Sequence, residues 1–195
     1  SVNQRAEASM QRVNEFLDMK SEVVNTNNDT YSIQGDIEFR DVSYTYPNTG
    51  IKALDKLSFK IEAGKTLAIM GKTGSGKSTI ALLLCRLVDP DEGSILIDGK
   101  DLRAHNLSIY REKLGYIPQE SYLFSDSIKE NIGFAVDNPS LELVQKYAKK
   151  ADVHNNIMEF KNQYETVVGE RGVMLSGGQK QRICIARAMI KEPQI

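Results

Sequence analysis

The chain has 195 residues, which is enough for one domain with an appended subdomain. Hydrophobic residues make up 41% of it and charged residues 26%, so we expect a folded chain with a buried core. The formal net charge of −1 gives no bulk attraction to nucleic acid or to a membrane surface, and we expect no nucleic-acid partner.

The cysteines, histidines and apolar runs exclude further classes of protein. Cys85 and Cys184 lie in apolar helical patterns without the spacing of a metal site, so we expect buried, reduced thiols. No run of about 18 apolar residues occurs, so no transmembrane helix is expected within these residues. His105 and His154 stand alone in polar surroundings, and we expect both at the surface without a role.

Residues 1–30 are predicted to form a helix followed by a polar linker. Met10, Val13 and Leu17 recur at helical spacing among charged residues, which is typical of an amphipathic helix. The run NTNND at 25–29 has the composition of a linker.

Residues 31–119 are predicted to form an α/β core. In the segment 36–47 apolar and polar residues alternate as in a strand, with Ile37, Phe39 and Val42 on the buried side. The run TLAIM at 66–70 is continuously apolar, which predicts a strand covered on both faces. The other predicted elements are a strand within 53–63, a helix at 79–88, and strands at 94–99 and 114–119.

Beyond residue 119 the pattern becomes helical. Residues 120–173 are predicted to form a mostly helical insertion, in which Ser127 and Glu130 have the spacing of a capping box. Residues 174–195 are predicted to carry the motif SGGQ and one further helix.

Residues 71–78 read GKTGSGKS, between an apolar strand and an apolar helix, and fit the phosphate-loop pattern. Glycines let successive backbone N–H groups point into one concavity, and the helix N-terminus adds a partial positive charge. Lys77 supplies a charge for phosphate oxygens, and Ser78 supplies a hydroxyl for Mg²⁺. This motif alone predicts only nucleotide binding, since kinases, GTPases and helicases share it.

The motif SGGQ at 176–179 has two interpretations. Ser176 has the position of a helix cap and Gln179 that of its capping-box partner. However, Gly177 and Gly178 disfavour a helix, and bare glycines at a helix N-terminus leave N–H groups open to an anion. A second phosphate-binding surface is therefore the functional hypothesis.

A phosphate loop followed about a hundred residues later by LSGGQ resembles the ATP-binding cassette (ABC) ATPases. Tyr46 in YTYP matches the aromatic residue that stacks on adenine in that family, and Gln119 in YIPQE matches the Q-loop glutamine. The run TVVGERG at 166–172, with Glu170 and Arg171, and the run LFSDSIKENI match exporter patterns. The resemblance covers about residues 36–193.

The resemblance implies a P-loop NTPase core of the ABC type that binds ATP and Mg²⁺. Ser78 and Gln119 are the implied Mg²⁺ ligands, and Gln119 also contacts the attacking water. The residues implied to bind nucleotide are Tyr46, Gly71, Thr73, Gly74, Ser75, Gly76, Lys77, Ser78 and Thr79, with Ser176, Gly177, Gly178 and Gln179 reaching a partner's nucleotide. The implied partners are a second ATPase domain, paired head to tail, and a transmembrane domain at the cytoplasmic face of the membrane.

In this family the next strand ends in the Walker B Asp and the catalytic Glu, followed later by a switch histidine. KEPQI is where that strand is expected to begin, so we expect the C-terminal part of the core and its carboxylate to be absent from these residues. These residues are then expected to bind ATP without hydrolysing it. The alternative is a soluble ABC-type ATPase that acts on DNA or ribosomes, against which the exporter-like helix at 1–24 argues.

Overall fold

The computed structural model describes residues 2–19, 21, 23–169 and 173–195, with side chains from residue 6 onward in those ranges. The helices are α1 Val2–Leu17, α2 Lys77–Leu84, α3 Leu107–Glu112, α4 Ile128–Gly133, α5 Leu141–Lys150, α6 His154–Met158 and α7 Gly177–Met189. The strands are β1 Ile37–Thr45, β2 Lys52–Ile61, β3 Glu92–Ile97 and β4 Lys100–Asp101. Short 3₁₀ turns cover Leu102–Ala104 and Gln163–Glu165.

The four strands form one antiparallel sheet in the order β2-β1-β3-β4. In the central strand β1, Phe39 lies opposite Phe59 of β2 and Ile95 of β3. The rings of Phe39 and Phe59 stack with their centroids 4.5 Å apart. Ile37, Phe39 and Val42 are all buried, which confirms the side of β1 predicted to face the core.

A second apolar core lies among the helices that follow residue 120. Helices α4 and α5 both pack against α7. Ile128, Ile132, Val144 and Ile183 are almost fully inaccessible at the centre of this cluster. Ser127 caps α4 by accepting a hydrogen bond from the Glu130 amide at 3.1 Å, as its spacing predicts. The motif helix α7 is therefore positioned by the helical elements.

Two predicted strands are not observed. Residues 66–70 and 114–119 form no ladder with the rest of the described chain. Leu67, Ile69 and Met70 are 44%, 43% and 92% exposed, although their apolar run predicted burial on both faces. A strand is held by hydrogen-bonded neighbours, and a continuous apolar run does not by itself supply them.

Ile195 pairs with the start of the second of these segments. Its N–H donates to the Lys113 carbonyl at 3.1 Å, and its carbonyl accepts from the Gly115 N–H at 2.8 Å. Two bonds that straddle one residue are the pattern of a parallel pair. Residues 113–115 and Ile195 thus form a single parallel bridge, whereas the sheet is antiparallel.

The polar segment 24–31, called the strap below, lies against the turn before α3. Thr26 Oγ1 donates to the Arg103 carbonyl at 3.2 Å, and Asn27 Nδ2 donates to the Ala104 carbonyl at 2.9 Å. The predicted linker is therefore hydrogen-bonded to the folded unit. In contrast, every described side chain of α1 is exposed. Over the residues covered by the structure, no helix combines the length and apolarity that crossing a membrane requires.

Both histidines differ from the surface position predicted for them. His105 is only 3% exposed, with its Nε2 atom 3.2 Å from the Ile97 and Lys100 carbonyl oxygens. His154 is half-buried, with Nδ1 2.7 Å from the Tyr164 hydroxyl. Polar neighbours in the sequence misled the prediction, because two backbone carbonyls lie beside His105 Nε2 and a tyrosine hydroxyl lies beside His154 Nδ1. The other ring nitrogen of His105, Nδ1, is buried without a hydrogen-bond partner among the described residues.

Both cysteines are free and buried, as predicted. Burial raises the pKa of the Cys85 thiol to about 11, so this thiol stays protonated at neutral pH. Cys85 is therefore not suited to nucleophilic chemistry.

A polar cluster in the helical core joins α7 to the segment before α4. The Arg187 guanidinium donates to the Asn131 carbonyl and to Asn131 Oδ1, both at 2.7 Å, and to the Tyr122 carbonyl at 3.0 Å. The Asn131 amide group in turn bonds the backbone of Phe124, Asp126 and Ser127. The side-chain amide of Asn131 therefore hydrogen-bonds both the Arg187 guanidinium and the backbone of the turn at 124–127.

We expect Asn131→Ala to lower the free energy of unfolding by about 2–3 kcal/mol, because it leaves buried donors and carbonyls without partners. Urea denaturation followed by circular dichroism measures this. Asn155→Ala, at an exposed position in α6, is the matched control and should change stability by less than about 0.5 kcal/mol. Equal effects of the two variants would contradict the role given to Asn131.

Candidate nucleotide site

The phosphate loop, residues 71–78, reaches α2 through a glycine that no other residue can replace. Gly76 is the N-cap of α2 and has φ of 83°. A Cβ atom at this position would lie 2.4 Å from the Ala53 carbonyl oxygen and 2.9 Å from Leu54 Cδ2. Both the left-handed backbone and the close approach to β2 require glycine. This contact fixes where α2 starts relative to the sheet.

Lys77, the first residue of α2, folds its side chain back over the loop. Its Nζ donates to the carbonyls of Gly71 at 2.8 Å and Lys72 at 2.7 Å. The ammonium is therefore held above the loop beside the N-terminus of α2. A positive charge and a helix N-terminus that share one location favour an anion there.

A cavity of about 450 Å³ opens at this loop, and it brings together the separate parts of the predicted site. Its lining residues are Tyr46, Ile51, Ala53, Thr73, Gly74, Ser75, Gly76, Lys77, Ser78, Thr79 and Gln119. Gly71 is the one predicted member of the loop site outside this lining, and its carbonyl instead holds Lys77. Gln119 comes from a segment 41 positions beyond Ser78 in the sequence, so folding places it here.

Tyr46 is tied to α2 by a contact that sequence reasoning missed. Its hydroxyl lies 2.9 Å from Thr79 Oγ1, and Thr79 is only 2% exposed. Its ring meets Tyr44 edge-on, with the centroids 5.2 Å apart. A half-buried tyrosine held at both its hydroxyl and its ring keeps a fixed position in the wall of the cavity.

Ile51 and Ala53 also line the cavity without having been predicted. They follow Tyr46 on the turn between β1 and β2 and at the start of β2. If residues 47–50 had been interpreted as the turn of a β-hairpin, Ile51 and Ala53 could have been predicted to lie beside Tyr46.

Ser78 and Gln119, the two predicted Mg²⁺ ligands, are among the neutral oxygen-bearing side chains that line the cavity, and both are exposed. No group of three His, Cys, Asp or Glu side chains among the described residues could hold a metal ion. Mg²⁺ keeps most of its waters and takes the rest of its ligands from phosphate oxygens. The donor set therefore fits Mg²⁺ bound together with a nucleotide, and does not fit a metal held by protein alone.

The SGGQ motif forms the capping box that its sequence predicts. Ser176 Oγ accepts from the Gln179 N–H at 3.2 Å, and Gln179 Oε1 accepts from the Ser176 N–H at 2.9 Å. Gly177 and Gly178 are exposed, and a Cβ atom added to either would meet nothing within 4 Å. Packing among the described residues therefore does not require these glycines, which form the exposed first turn of α7.

The SGGQ residues do not line the phosphate-loop cavity. Within the described residues, then, the two predicted phosphate-binding surfaces belong to different places on the chain. Glu170 and Arg171, which match the exporter pattern before this motif, lie outside the described residues.

Comparison with known proteins places this geometry in a family. The ABC transporter family model matches residues 54–195. The chain belongs to the ABC transporter family, and its fold is the ABC-type P-loop NTPase fold, as predicted.

The curated relatives are ATP-binding or ATP-dependent proteins, as their names state. The uncharacterized ABC transporter ATP-binding protein YfiB of Bacillus subtilis is 45% identical over 191 residues, covering 98% of this chain and 33% of the relative. The ATP-dependent lipid A-core flippase of Escherichia coli strain K12 is 42% identical over 193 residues, covering 98% of this chain and 33% of the flippase. Human ATP-binding cassette sub-family B member 5 is 43% identical over 185 residues, covering 93% of this chain and 15% of that protein.

Among solved structures, a bacterial Atm1-family ABC exporter with ATP bound superposes with a TM-score of 0.89 at 39% identity. The match covers 97% of this chain and 33% of that one. The chain thus spans about a third or less of the length of these relatives.

We expect Ser176→Ala to destabilise the chain by about 1 kcal/mol, because it removes the side-chain half of the capping box. Thermal unfolding measures the change. Ser108→Ala, at an exposed position inside α3, is the control and should shift stability by less than about 0.5 kcal/mol. A Ser176→Ala chain as stable as the control would show that the cap contributes nothing.

Proposed function

We propose that this chain is the ATP-binding domain of an ABC exporter, which binds Mg-ATP and couples its hydrolysis to export of a substrate across a membrane. The observation that carries the proposal is the single cavity shared by the phosphate loop, Lys77, Tyr46 and Gln119. A polyanion, an aromatic base and a hydrated cation each find a suitable group there.

Binding would start from the loop. The loop amides that lead into α2 and the N-terminus of that helix would bind the phosphates, although the Ser75 N–H already donates to the Lys72 carbonyl at 3.2 Å. Lys77 would exchange its two carbonyl partners for phosphate oxygens. Ser78 and Gln119 would hold Mg²⁺, which neutralises charge on the phosphates when bound. Tyr46 offers its ring face to the adenine. Phosphoryl transfer depends mainly on such positioning and charge neutralisation.

The second anion surface supports a head-to-tail partner. Ser176, Gly177, Gly178 and Gln179 do not line the phosphate-loop cavity, and both glycines are exposed at the N-terminus of α7. In the proposed pair, this surface covers the nucleotide of a second ATPase domain and the second domain covers this one. Closure then depends on ATP, because the ligand contacts both surfaces only in the closed state.

The membrane side of the proposal rests on the relatives and on α1. The flippase and the Atm1-family protein are named as transporters, and this chain matches one third of each. Met10, Val13, Phe16 and Leu17 of α1 are all at least half exposed, as a helix that continues toward a transmembrane domain would be. We therefore place the chain at the cytoplasmic face of a membrane, as part of an integral transporter.

Lys77→Ala should weaken binding of a fluorescent ATP analogue in the presence of Mg²⁺ by at least tenfold, because it removes the ammonium held above the loop. Fluorescence anisotropy measures the dissociation constant. Lys149→Ala, an exposed lysine at the end of α5, should leave it unchanged. If wild type and Lys77→Ala bind alike, nucleotide does not occupy this loop.

Tyr46→Ala should weaken binding of the ATP analogue more than Tyr46→Phe does. Phenylalanine keeps the ring face and loses only the hydroxyl group that is hydrogen-bonded to Thr79. We expect a loss of about fivefold to tenfold for alanine, in line with about 1 kcal/mol for a stacked aromatic contact. Inorganic triphosphate should bind wild type and both variants equally. An alanine variant with unchanged affinity for ATP would remove Tyr46 from the adenine site.

A polypeptide of these 195 residues should bind nucleotide but release phosphate no faster than its Lys77→Ala variant. The sequence assigns no carboxylate among them to water activation, and positioned charge alone does not activate the attacking water. A phosphate-release assay with Mg-ATP measures the rate. Turnover clearly above the Lys77→Ala level would show that a residue present here supplies the missing base.

A further inference from the structure

The C-terminal end of α2 is held as firmly as its N-terminal end. The Tyr110 hydroxyl donates to the Leu84 carbonyl at 2.6 Å. Arg111 donates to the Cys85 carbonyl at 3.2 Å and to the Arg86 carbonyl at 2.6 Å. These are carbonyls left without intrahelical partners at the end of a helix, and a cation beside them complements the helix dipole. Helix α3 therefore fixes the far end of the helix that starts at the phosphate loop.

Arg86 links this end of α2 to the strap. It has φ of 49°, which ends the helix, and it is only 4% exposed. Its Nε donates to Asp89 at 3.0 Å, and one of its terminal nitrogens donates to the Val24 carbonyl at 3.3 Å. The other terminal nitrogen is buried without a hydrogen bond. Burying an arginine this deeply is costly, so its position needs a reason other than surface solubility.

The strap is anchored from its other side by α3. Asn25 Oδ1 accepts the Leu107 N–H, the first amide of α3, at 2.9 Å. Asn25 Nδ2 donates to Asn106 Oδ1 at 3.4 Å, and the Tyr31 ring packs on His105 with centroids 4.8 Å apart. Helices α2 and α3 and the strap thus form one connected unit behind the phosphate site.

We propose that Arg86 is a positioning residue that couples docking of the strap to nucleotide binding at the opposite end of α2. The helix has eight residues, about 12 Å, and it is too short to bend, so fixing its N-terminus on a phosphate also fixes Arg86. Thermodynamic linkage makes this coupling reciprocal. If docking of the strap raises the affinity for nucleotide by some factor, nucleotide binding raises the equilibrium constant for docking by the same factor. The inference rests on the proposed function, because it needs a nucleotide at the loop.

Hydrogen–deuterium exchange of the chain, with and without Mg²⁺ and a non-hydrolysable ATP analogue, tests this coupling. Nucleotide should slow exchange in peptides covering 71–80 and, remote from the site, in peptides covering 24–31 and 103–108. Arg86→Lys keeps the charge but loses the guanidinium group that donates to both Asp89 and the Val24 carbonyl. Asn25→Ala removes the hydrogen bond between the strap and the first amide of α3. Both variants should lose the nucleotide-dependent slowing at 24–31 and bind the analogue about fivefold more weakly.

Arg40→Lys and Asn155→Ala are the matched controls, because Arg40 pairs with Glu38 on the exposed side of the sheet and Asn155 lies in α6. Both should behave as wild type. A purely structural role for Arg86 would raise exchange at 24–31 equally with and without nucleotide. The coupling is refuted if nucleotide slows exchange at 71–80 in the wild type but not at 24–31, or if Arg86→Lys and Asn25→Ala both retain the difference. A wild type that binds no nucleotide would instead refute the proposed function.

Discussion

The close contact between Gly76 and the Ala53 carbonyl determines the geometry of the whole site. Because no side chain fits there, α2 must begin at this point on the edge of the antiparallel sheet. The direction of α2 then sets which way the loop N–H groups face, where Lys77 lies, and how Thr79 meets the Tyr46 hydroxyl. The sheet core contributes no chemistry of its own, but it provides the fixed surface on which the phosphate loop is built.

The two proposed anion-binding surfaces are built on two different cores. The phosphate loop depends on strand pairing and on one glycine contact, whereas the SGGQ surface depends on a helix cap over packed aliphatic side chains. Each surface is thus rigid in its own setting. The segment from Gln119 to Asn131 runs from one to the other, and its far end is clamped to α7 by Arg187. Gln119 is therefore connected to the helix that carries SGGQ through this segment and the hydrogen bonds of Arg187.

The elements that could be predicted from sequence are those whose partners are near in the chain. The Ser176 and Ser127 caps, the alternation in β1 and the loop glycines are local patterns, and each appears where it was expected. The strands at 66–70 and 114–119 were wrong because a strand exists only through a neighbour that its own sequence does not specify. The Tyr46–Thr79 contact was missed for the same reason, since the two residues are 33 positions apart. The ring contact of His105 with Tyr31 is likewise between residues distant in sequence. The roles of the site residues stay predictions.

The folded-back position of Lys77 has a consequence for selectivity. An anion that approaches the loop has to compete with two carbonyl oxygens for the same ammonium protons. A small anion that contacts only the lysine replaces those two hydrogen bonds with about the same number of new ones, so its net gain in binding free energy is small. A chain of linked phosphates contacts the lysine, the loop amides and a shared cation at the same time. Its binding free energy therefore increases by more than its charge alone would give. If the proposed nucleotide site is correct, the loop would therefore discriminate against monovalent and single-phosphate ions in favour of polyphosphates.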